Sequence, residues 1–369
     1  MSEITPDLTP RKRDPISRAA VWIWTRLFGS LVNSLLTLIM VWILYRVISV
    51  GLDWLIFDAT LAPADVRQCI DNGGACWAFL QAKWQLILFG TYPYELRWRP
   101  GLALILFAGL VIASCLPRAW STLERRRWMA VLWLLGMGVI IVLMAGGLGF
   151  REVEIRLWSG LPLTVMLAAV GMVSAFFLAV ALALGRRSDL PAVRWLCIGY
   201  IELIRGVPLI SLLFMANIML PLLLPSDLRV PNLLRAQLAF ILFFAAYMAE
   251  TIRGGLQALP EGQYSAAKAL GLNYWQRMIH VIMPQALRLV IPSLVNIFIG
   301  GFKDTSLVIV ISMLDLLGTA NSAKADPAWL GLFVEAYFFI AVIYLFVCAG
   351  MSWYSRQLER RLRTTAERA

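Results

Sequence analysis

Histidine is almost absent from this chain, and charge is scarce. Among 369 residues there is one His, His280, and only 15% are charged against 60% hydrophobic. A single imidazole excludes a zinc centre built on a His pair, and five scattered Cys do not make a disulfide scaffold. The motifs H-E-x-x-H and G-x-S-x-G do not occur, nor does a Cys/His pair, so nothing points to an intramembrane enzyme. G-x-x-x-x-G-K followed by Ser or Thr is also missing, so the chain does not cradle ATP in a phosphate loop. The shortage of charge excludes most. A soluble domain carries about 25% charged residues, and this chain has too few to coat a water-facing surface of its size. It reads as an all-α membrane protein.

What is present is a series of long apolar runs. A hydrocarbon core about 30 Å thick needs roughly 20 apolar residues of helix, because every backbone group must be bonded internally. Eight segments meet or approach that length: Leu31–Gly51, Leu102–Leu116, Met129–Leu148, Gly160–Leu184, Leu196–Leu224, Leu234–Arg253, Leu289–Ser312 and Trp329–Tyr354. Phe79–Tyr94 has amphipathic character and reads as an interfacial or surface element. Aromatic residues at span ends, Trp22, Trp24, Trp158, Trp195, Trp329 and Trp353, form the usual interfacial belt.

The net charge of +11 is a topology signal. With eight spans both termini share one side, and the connections on that side carry 21 Lys and Arg, including Arg11, Lys12, Arg13, Arg18 and Arg26, against nine on the other. By the positive-inside tendency the termini are cytoplasmic. The basic residues are spread between apolar runs and make no single patch, which argues against nucleic acid as a partner. On the outer side, Cys69 and Cys76 flank Asn-Gly-Gly, a sequence that lets the chain turn back on itself. In an oxidising compartment they would be joined; otherwise they are two free thiols.

One inner loop is long, Arg253–Arg288. Pro260 and Glu261 suit the first turn of a helix; Tyr264, Ala267, Leu270 and Tyr274 would share a face; Gly271 would cap the first piece. A second short helix, stopped by Pro284, would follow. Two readings fit the pattern: a docking element for a soluble partner, or an amphipathic helix lying on membrane lipid. His280 belongs to the surface of this loop.

The stretch SAAKALGLNYWQRMIHVIMP resembles the EAA loop of permease subunits of ATP-binding-cassette importers. Ala266, Ala267 and Gly271 match the pattern, Val281 and Met283 stand for Ile and Leu, and Pro284 closes it. Ser265 departs from it by occupying the Glu position. Tyr200–Ile210, Ala245–Gly255 and Phe302–Val308 are similar to further motifs of amino-acid-type permeases. The resemblance covers about Gly160 to Tyr354, over half of the chain, and the N-terminal part is similar to one subunit of the general L-amino-acid permease group.

The resemblance implies a type I importer permease core of five spans within about eight. It divides the chain into a cytoplasmic segment (1–28), an extension (29–158) with three spans and a periplasmic loop (52–101), the core (159–355) with coupling loop 254–288, and a basic cytoplasmic tail (356–369). The expected function is the permease of an ATP-driven, binding-protein-dependent amino-acid importer of the cytoplasmic (inner) membrane, one that has no catalytic residue of its own. The expected partners are a second permease subunit, a cytoplasmic ATPase dimer that binds the ATP-Mg, and a periplasmic amino-acid-binding protein. Tyr264, Ser265, Ala266, Ala267, Gly271, Leu272 and Pro284 would couple to the ATPase, with Ser265 unable to make a salt bridge open to Glu. A self-sufficient secondary transporter or channel is the alternative. It should show paired interrupted spans, and only one span is strongly interrupted.

Ionisable residues inside spans cost about 2.5–3.5 kcal/mol each at the centre and need partners or a cavity. Glu202 and Arg205, like Glu250 and Arg253, are three apart and can pair on one helix face. Each pair either neutralises itself near the interface or holds an inward gate, and Gly206-Val207-Pro208 would loosen the helix after Arg205. In the seventh span Asn296, Gly300, Gly301, Lys303, Asp304, Thr305 and Ser306 crowd the middle. They read either as a pathway lining, with Lys303 meeting a carboxylate and Asp304 an ammonium, or as a Lys303–Asp304 brace to another helix.

Overall fold

The computed structural model describes residues 15–225 and 230–366. Arg11, Lys12 and Arg13 and the end of the tail lie outside the described residues. Among those described, every regular element is helical, and strand-like pairing is confined to isolated bridges. Seven helical stretches are long and apolar enough to cross a membrane, and a bent pair makes an eighth. The chain divides into two compact units, Met1–Ala78 and Phe79–Ala369.

In the first unit, α1 (Pro15–Leu27) precedes α2 (Leu31–Leu52), whose first turn is capped by the Ser30 side chain accepting from the Asn33 N–H at 3.2 Å. A π-helical turn, Asp53–Phe57, extends α2 to a 27-residue apolar stretch. The short α3 (Val66–Asn72) starts at a capping box between Asp65 and Gln68. Cys69, in α3, is joined to Cys76 by a disulfide across Cα atoms 5.4 Å apart.

The second unit takes in all but the start of α4 (Trp77–Phe89), then α5 (Trp98–Cys115) and α6 (Leu123–Ala145). Next come α7 (Gly160–Gly185), α8 (Pro191–Arg205), α9 (Leu209–Phe214), α10 (Leu220–Leu223) and α11 (Asn232–Ala258). The loop helices α12 (Glu261–Ala269) and α13 (Tyr274–Arg277) lead into α14 (Met283–Asp304), α15 (Leu316–Lys324) and α16 (Phe333–Ala366). The main core joins α7, α11 and α14: Ala175, Ala179 and Ala183 of α7 and Ala236, Ala239, Ala245 and Ala249 of α11 are buried in it. Small side chains let backbones approach closely where lipid offers no hydrophobic drive for association. At Gly301 of α14 a Cβ would lie 1.8 Å from Met172 Cε of α7, so any larger residue would push the end of the Met172 side chain aside. A smaller core, Tyr92, Ala103, Leu143, Met144 and Val153, lies in the extension, and Trp158 packs against both.

The structure corrects the sequence reading at three places. Leu196–Leu224 is not one straight span: Pro191–Arg205 and Leu209–Leu223 meet at 104°, because Pro208 has no N–H to continue the ladder and Gly206 resists nothing. The second span starts earlier than Leu102, at Tyr94, and reaches 22 residues. Phe79–Tyr94 is amphipathic as expected: Phe79, Leu80, Ile87 and Tyr92 are buried, while Gln81, Trp84 and Tyr94 are exposed. The loop's second helix does not stop at Pro284. It runs through a π-helical turn, Met278–Ile282, and is continuous over Tyr274–Ile311. The widened turn relieves the clash that a proline ring makes with the preceding turn, and the absent N–H falls at the start of the next α-helical segment.

Candidate functional site

The loop helix α12 is anchored at one end and capped at the other. The Tyr264 hydroxyl donates to the Leu256 carbonyl at 2.8 Å, and Arg187 Nη1 donates to that hydroxyl at 2.8 Å with its guanidinium 5.2 Å from the ring centre. The free carbonyls at the end of α11 thus hold α12 beside the start of the loop. Gly271, at φ +76°, closes the helix: its N–H donates to Lys268 and that of Leu272 to Ala267, the paired bonds of a Schellman motif. Asn273 then opens α13 with a capping box to Gln276.

The face expected to hold Tyr264, Ala267, Leu270 and Tyr274 together is split. Ala267 is buried at 3% exposure and Tyr264 is half-buried, whereas Leu270 is 79% exposed, with Tyr274 and Trp275 also outward. Ser265 and Ala266 are exposed, Leu272 is half-buried and Pro284 is exposed. Tyr264 must reach the end of α11, and that turns Ala267 inward with it. An apolar knob of Leu270, Tyr274, Trp275 and Ile279 is left facing out.

At the same end of the bundle five charged side chains from three helices converge. Glu250 on α11 is the centre: Arg253 Nη2 donates to its Oε1 at 2.5 Å, Arg186 Nη1 to its Oε2 at 2.9 Å, and Arg205 Nη1 lies 4.0 Å away. The expected Glu250–Arg253 pair forms. The expected Glu202–Arg205 pair does not: Glu202 accepts from Arg186 Nη2 at 3.0 Å, and Arg205 lies over the Tyr247 ring at 5.7 Å. Arg186, just past α7, is the member that helix spacing does not reveal. The tandem Arg186-Arg187 directly after an apolar run was the available signal.

Along α14, Leu289, Ser293, Asn296 and Lys303 are exposed on one stripe, with half-buried Gly300 between them, while Val290, Leu294, Gly301 and Phe302 are buried on the other side. A stripe with an amide, a hydroxyl and an ammonium at membrane depth does not suit lipid tails. Asp304 and Ser306 are half-buried and Thr305 is buried. The Thr305 hydroxyl donates to Phe302 O and that of Ser306 to Lys303 O, both at 2.8 Å. Lys303 and Asp304 make no ion pair within 4.0 Å among the described residues. After Asp304 the backbone tightens into a 3₁₀-helix, Thr305–Ile311, just beyond the Gly300-Gly301 pair.

The opposite end of the bundle is tied to the extension. Thr319 donates to the Ile87 carbonyl at 2.6 Å, and Lys83 of α4 is ion-paired with Asp326, whose carboxyl is held below its usual range by that hydrogen bond. Asp315 caps α15 by accepting from the Gly318 N–H at 2.9 Å. It is wholly buried, which pushes its pKa to about 6 against the opposing pull of backbone N–H groups. Among the described residues no three His, Cys, Asp or Glu side chains are grouped to hold a metal.

Residues 178–364 match the family model described as binding-protein-dependent transport system inner membrane component. The chain is 45% identical over 350 residues, 94% of either chain, to the inner membrane amino-acid ABC transporter permease protein YhdY of Escherichia coli strain K12. It is 36% identical over 428 residues, 97% of either chain, to the glutamate/glutamine/aspartate/asparagine transport system permease protein BztC of Rhodobacter capsulatus. A solved amino acid ABC transporter with histidines aligns at 31% identity and a TM-score of 0.49, covering 55% of this chain and 92% of that one.

Proposed function

This chain belongs to the binding-protein-dependent transport system inner membrane component family, as a multi-pass permease subunit of an amino-acid ABC transporter, and from that premise we propose how it divides the work of transport. It forms the translocation pathway with a second permease subunit, and α14 supplies one wall. The exposed stripe of Ser293, Asn296 and Lys303 carries this reading, because polar groups at that depth require a pathway or a partner helix. Lys303 meets the carboxylate of a zwitterionic amino acid and Asp304 its ammonium. Broad-range or polar L-amino acids are the substrate class, in keeping with one relative named for amino acids and another named for glutamate, glutamine, aspartate and asparagine.

Energy enters from outside the chain. The knob around Leu270, together with Ser265, Ala266 and half-buried Leu272, seats α12 in a cytoplasmic ATPase dimer that binds the ATP-Mg; Ala267 and Tyr264 anchor the element on its inner side, and Gly271 and Pro284 shape its turns. Both termini are cytoplasmic, and a periplasmic binding protein delivers substrate at the other face. The charge cluster on Glu250 holds the inward gate closed, since it ties the end of α7 and the bent helix α8 to α11.

Uptake of labelled glutamate and glutamine by the reconstituted complex tests the assignment. Lys303→Ala and Asp304→Ala should abolish uptake while leaving the assembled complex intact; unchanged transport would sink the pathway reading. Uptake that persists without ATP on an ion gradient would instead favour a self-sufficient carrier.

A further inference from the structure

The first membrane helix carries three polar side chains that its own chain does not use. α2 is 22 residues long, about 33 Å, which matches the thickness of a hydrocarbon core. Trp42 lies at its middle and Tyr45 and Arg46 about one turn further on, all three exposed. Among the described residues none of these side chains makes a hydrogen bond or an ion pair, and α2 buries none of its residues. At about 100° per residue, Trp42, Tyr45, Arg46, Ser49 and Asp53 fall on one side of the helix, while Met40, Ile43, Leu44 and Val47 make the opposite side aliphatic.

Lipid does not satisfy that polar side. Trp42 is roughly 15 Å from either end of α2, too deep for the interfacial belt that tryptophan favours. Arg46 is about 9 Å short of Leu52, beyond which Asp53 marks the edge of the apolar run. Its Cα–Cβ bond leans toward the helix N-terminus, away from that edge, so reaching a phosphate there runs against the direction of the side chain. The Ser49 hydroxyl is already donating to the Arg46 carbonyl at 3.1 Å. Guanidinium, indole N–H and phenol all donate and one is a cation, so the surface that fits them accepts hydrogen bonds and bears negative charge. Two-fold pairing with α2 of a second copy would set Arg46 against Arg46, which disfavours self-association through this side.

We propose that this side of α2 docks a membrane helix of the second permease subunit, one that carries a carboxylate level with Arg46 and presents acceptors to Trp42 and Tyr45. The contact is confined to residues 42–53, and Leu36 and Leu38, nearer the start of α2, stay in lipid. The proposal rests on the reading that a second permease shares the complex, and it adds where the N-terminal extension grips that subunit.

Photo-cross-linking of the full transporter in native membranes reads the contact. Benzoylphenylalanine in place of Ser49 or Val50, which flank Arg46, should give a product with the mass of this chain plus the second permease; the same probe in place of Leu44 or Val47 should give none. Two probe positions on the docking side guard against one that misfolds. Arg46→Leu should lower the Ser49 product by about tenfold, and Arg46→Lys, which keeps the charge, should restore most of it. Absence of a second permease from the purified complex would overturn the transport reading and this proposal together. Its presence with lipid adducts only, with equal products from both sides of α2, or with a product of two copies of this chain would overturn the docking side alone. An undiminished product in Arg46→Leu would overturn the ion pair.

Discussion

The stretches Leu31–Phe57 and Asn232–Ala258 are both 27 residues long, yet their surroundings are opposite. No residue of α2 is buried, while 61% of the most apolar stretch of α11 is. The buried helix is the less apolar of the two: α11 contains Arg235, Gln237, Glu250 and Arg253 among many alanines, and α2 is a run of large aliphatic residues such as Leu35, Leu36, Leu38 and Ile39. In water that order would be reversed. In a bilayer the tails solvate a leucine as well as a protein core does, so apolarity predicts that a helix crosses but not that it is inside. Polar groups and small residues mark the inside, because they need partners that lipid cannot supply.

The comparison can be broken at several levels. A carboxylate at Ala245, fully buried in α11, would be desolvated without a partner. Ala245→Asp should cost on the order of 3 kcal/mol or more and abolish accumulation of the assembled complex, as read by size-exclusion chromatography. Glu250→Gln should come next. It leaves Arg253 without its carboxylate and Arg186 with Glu202 alone, and with side chains about one-quarter exposed the loss should be about 1–3 kcal/mol, short of that for a fully buried pair. The thermal midpoint of the purified complex would register it.

Asp315 offers a pH test at the opposite end of the core. Its carboxyl titrates at about 6 when folded, above its ordinary 3.8, because burial penalises the charged form. The stabilisation from the neutral carboxyl is complete below about pH 3.8 and is lost as pH rises through about 6. Asp315→Asn, which has no charge to desolvate, should therefore gain on the wild type between pH 5 and 7.5 by roughly 1–2 kcal/mol, seen as a difference in thermal midpoints. If the difference were independent of pH, the cap would be ionised throughout. The smallest effect belongs to α2: Leu38→Ala should change stability by less than about 0.5 kcal/mol, since lipid covers the site either way. A large loss there would mean that α2 faces protein at Leu38 as well.

Local features were legible in the sequence. Gly271 reads as a helix cap because a left-handed turn favours glycine whatever surrounds it, and Glu250 with Arg253 reads as a pair because their spacing lies on one helix face. The apolar run lengths likewise located most spans. Direction was not legible. Periodicity grouped Ala267 with Leu270, but the hydroxyl of Tyr264, reaching Leu256 and Arg187, decided which of them turned inward. Nor could spacing reveal that Arg186 would draw Glu202 away from Arg205, because Arg186 comes from another helix.

By itself the sequence determined that this chain crosses a membrane many times, where its long loop lies and which motifs it shares with amino-acid permeases. Those are properties of runs, caps and short spacings, set by hydropathy and local backbone chemistry. The tertiary structure decided the rest: that α4 buries Phe79, Leu80 and Ile87, that Glu250 gathers charges from three helices, that α14 exposes one polar stripe, and that Trp158 packs against two cores. The physical reason is that lipid accepts almost any apolar helix surface. Which surface a helix instead turns toward protein depends on the few polar and small residues that other helices bring to it.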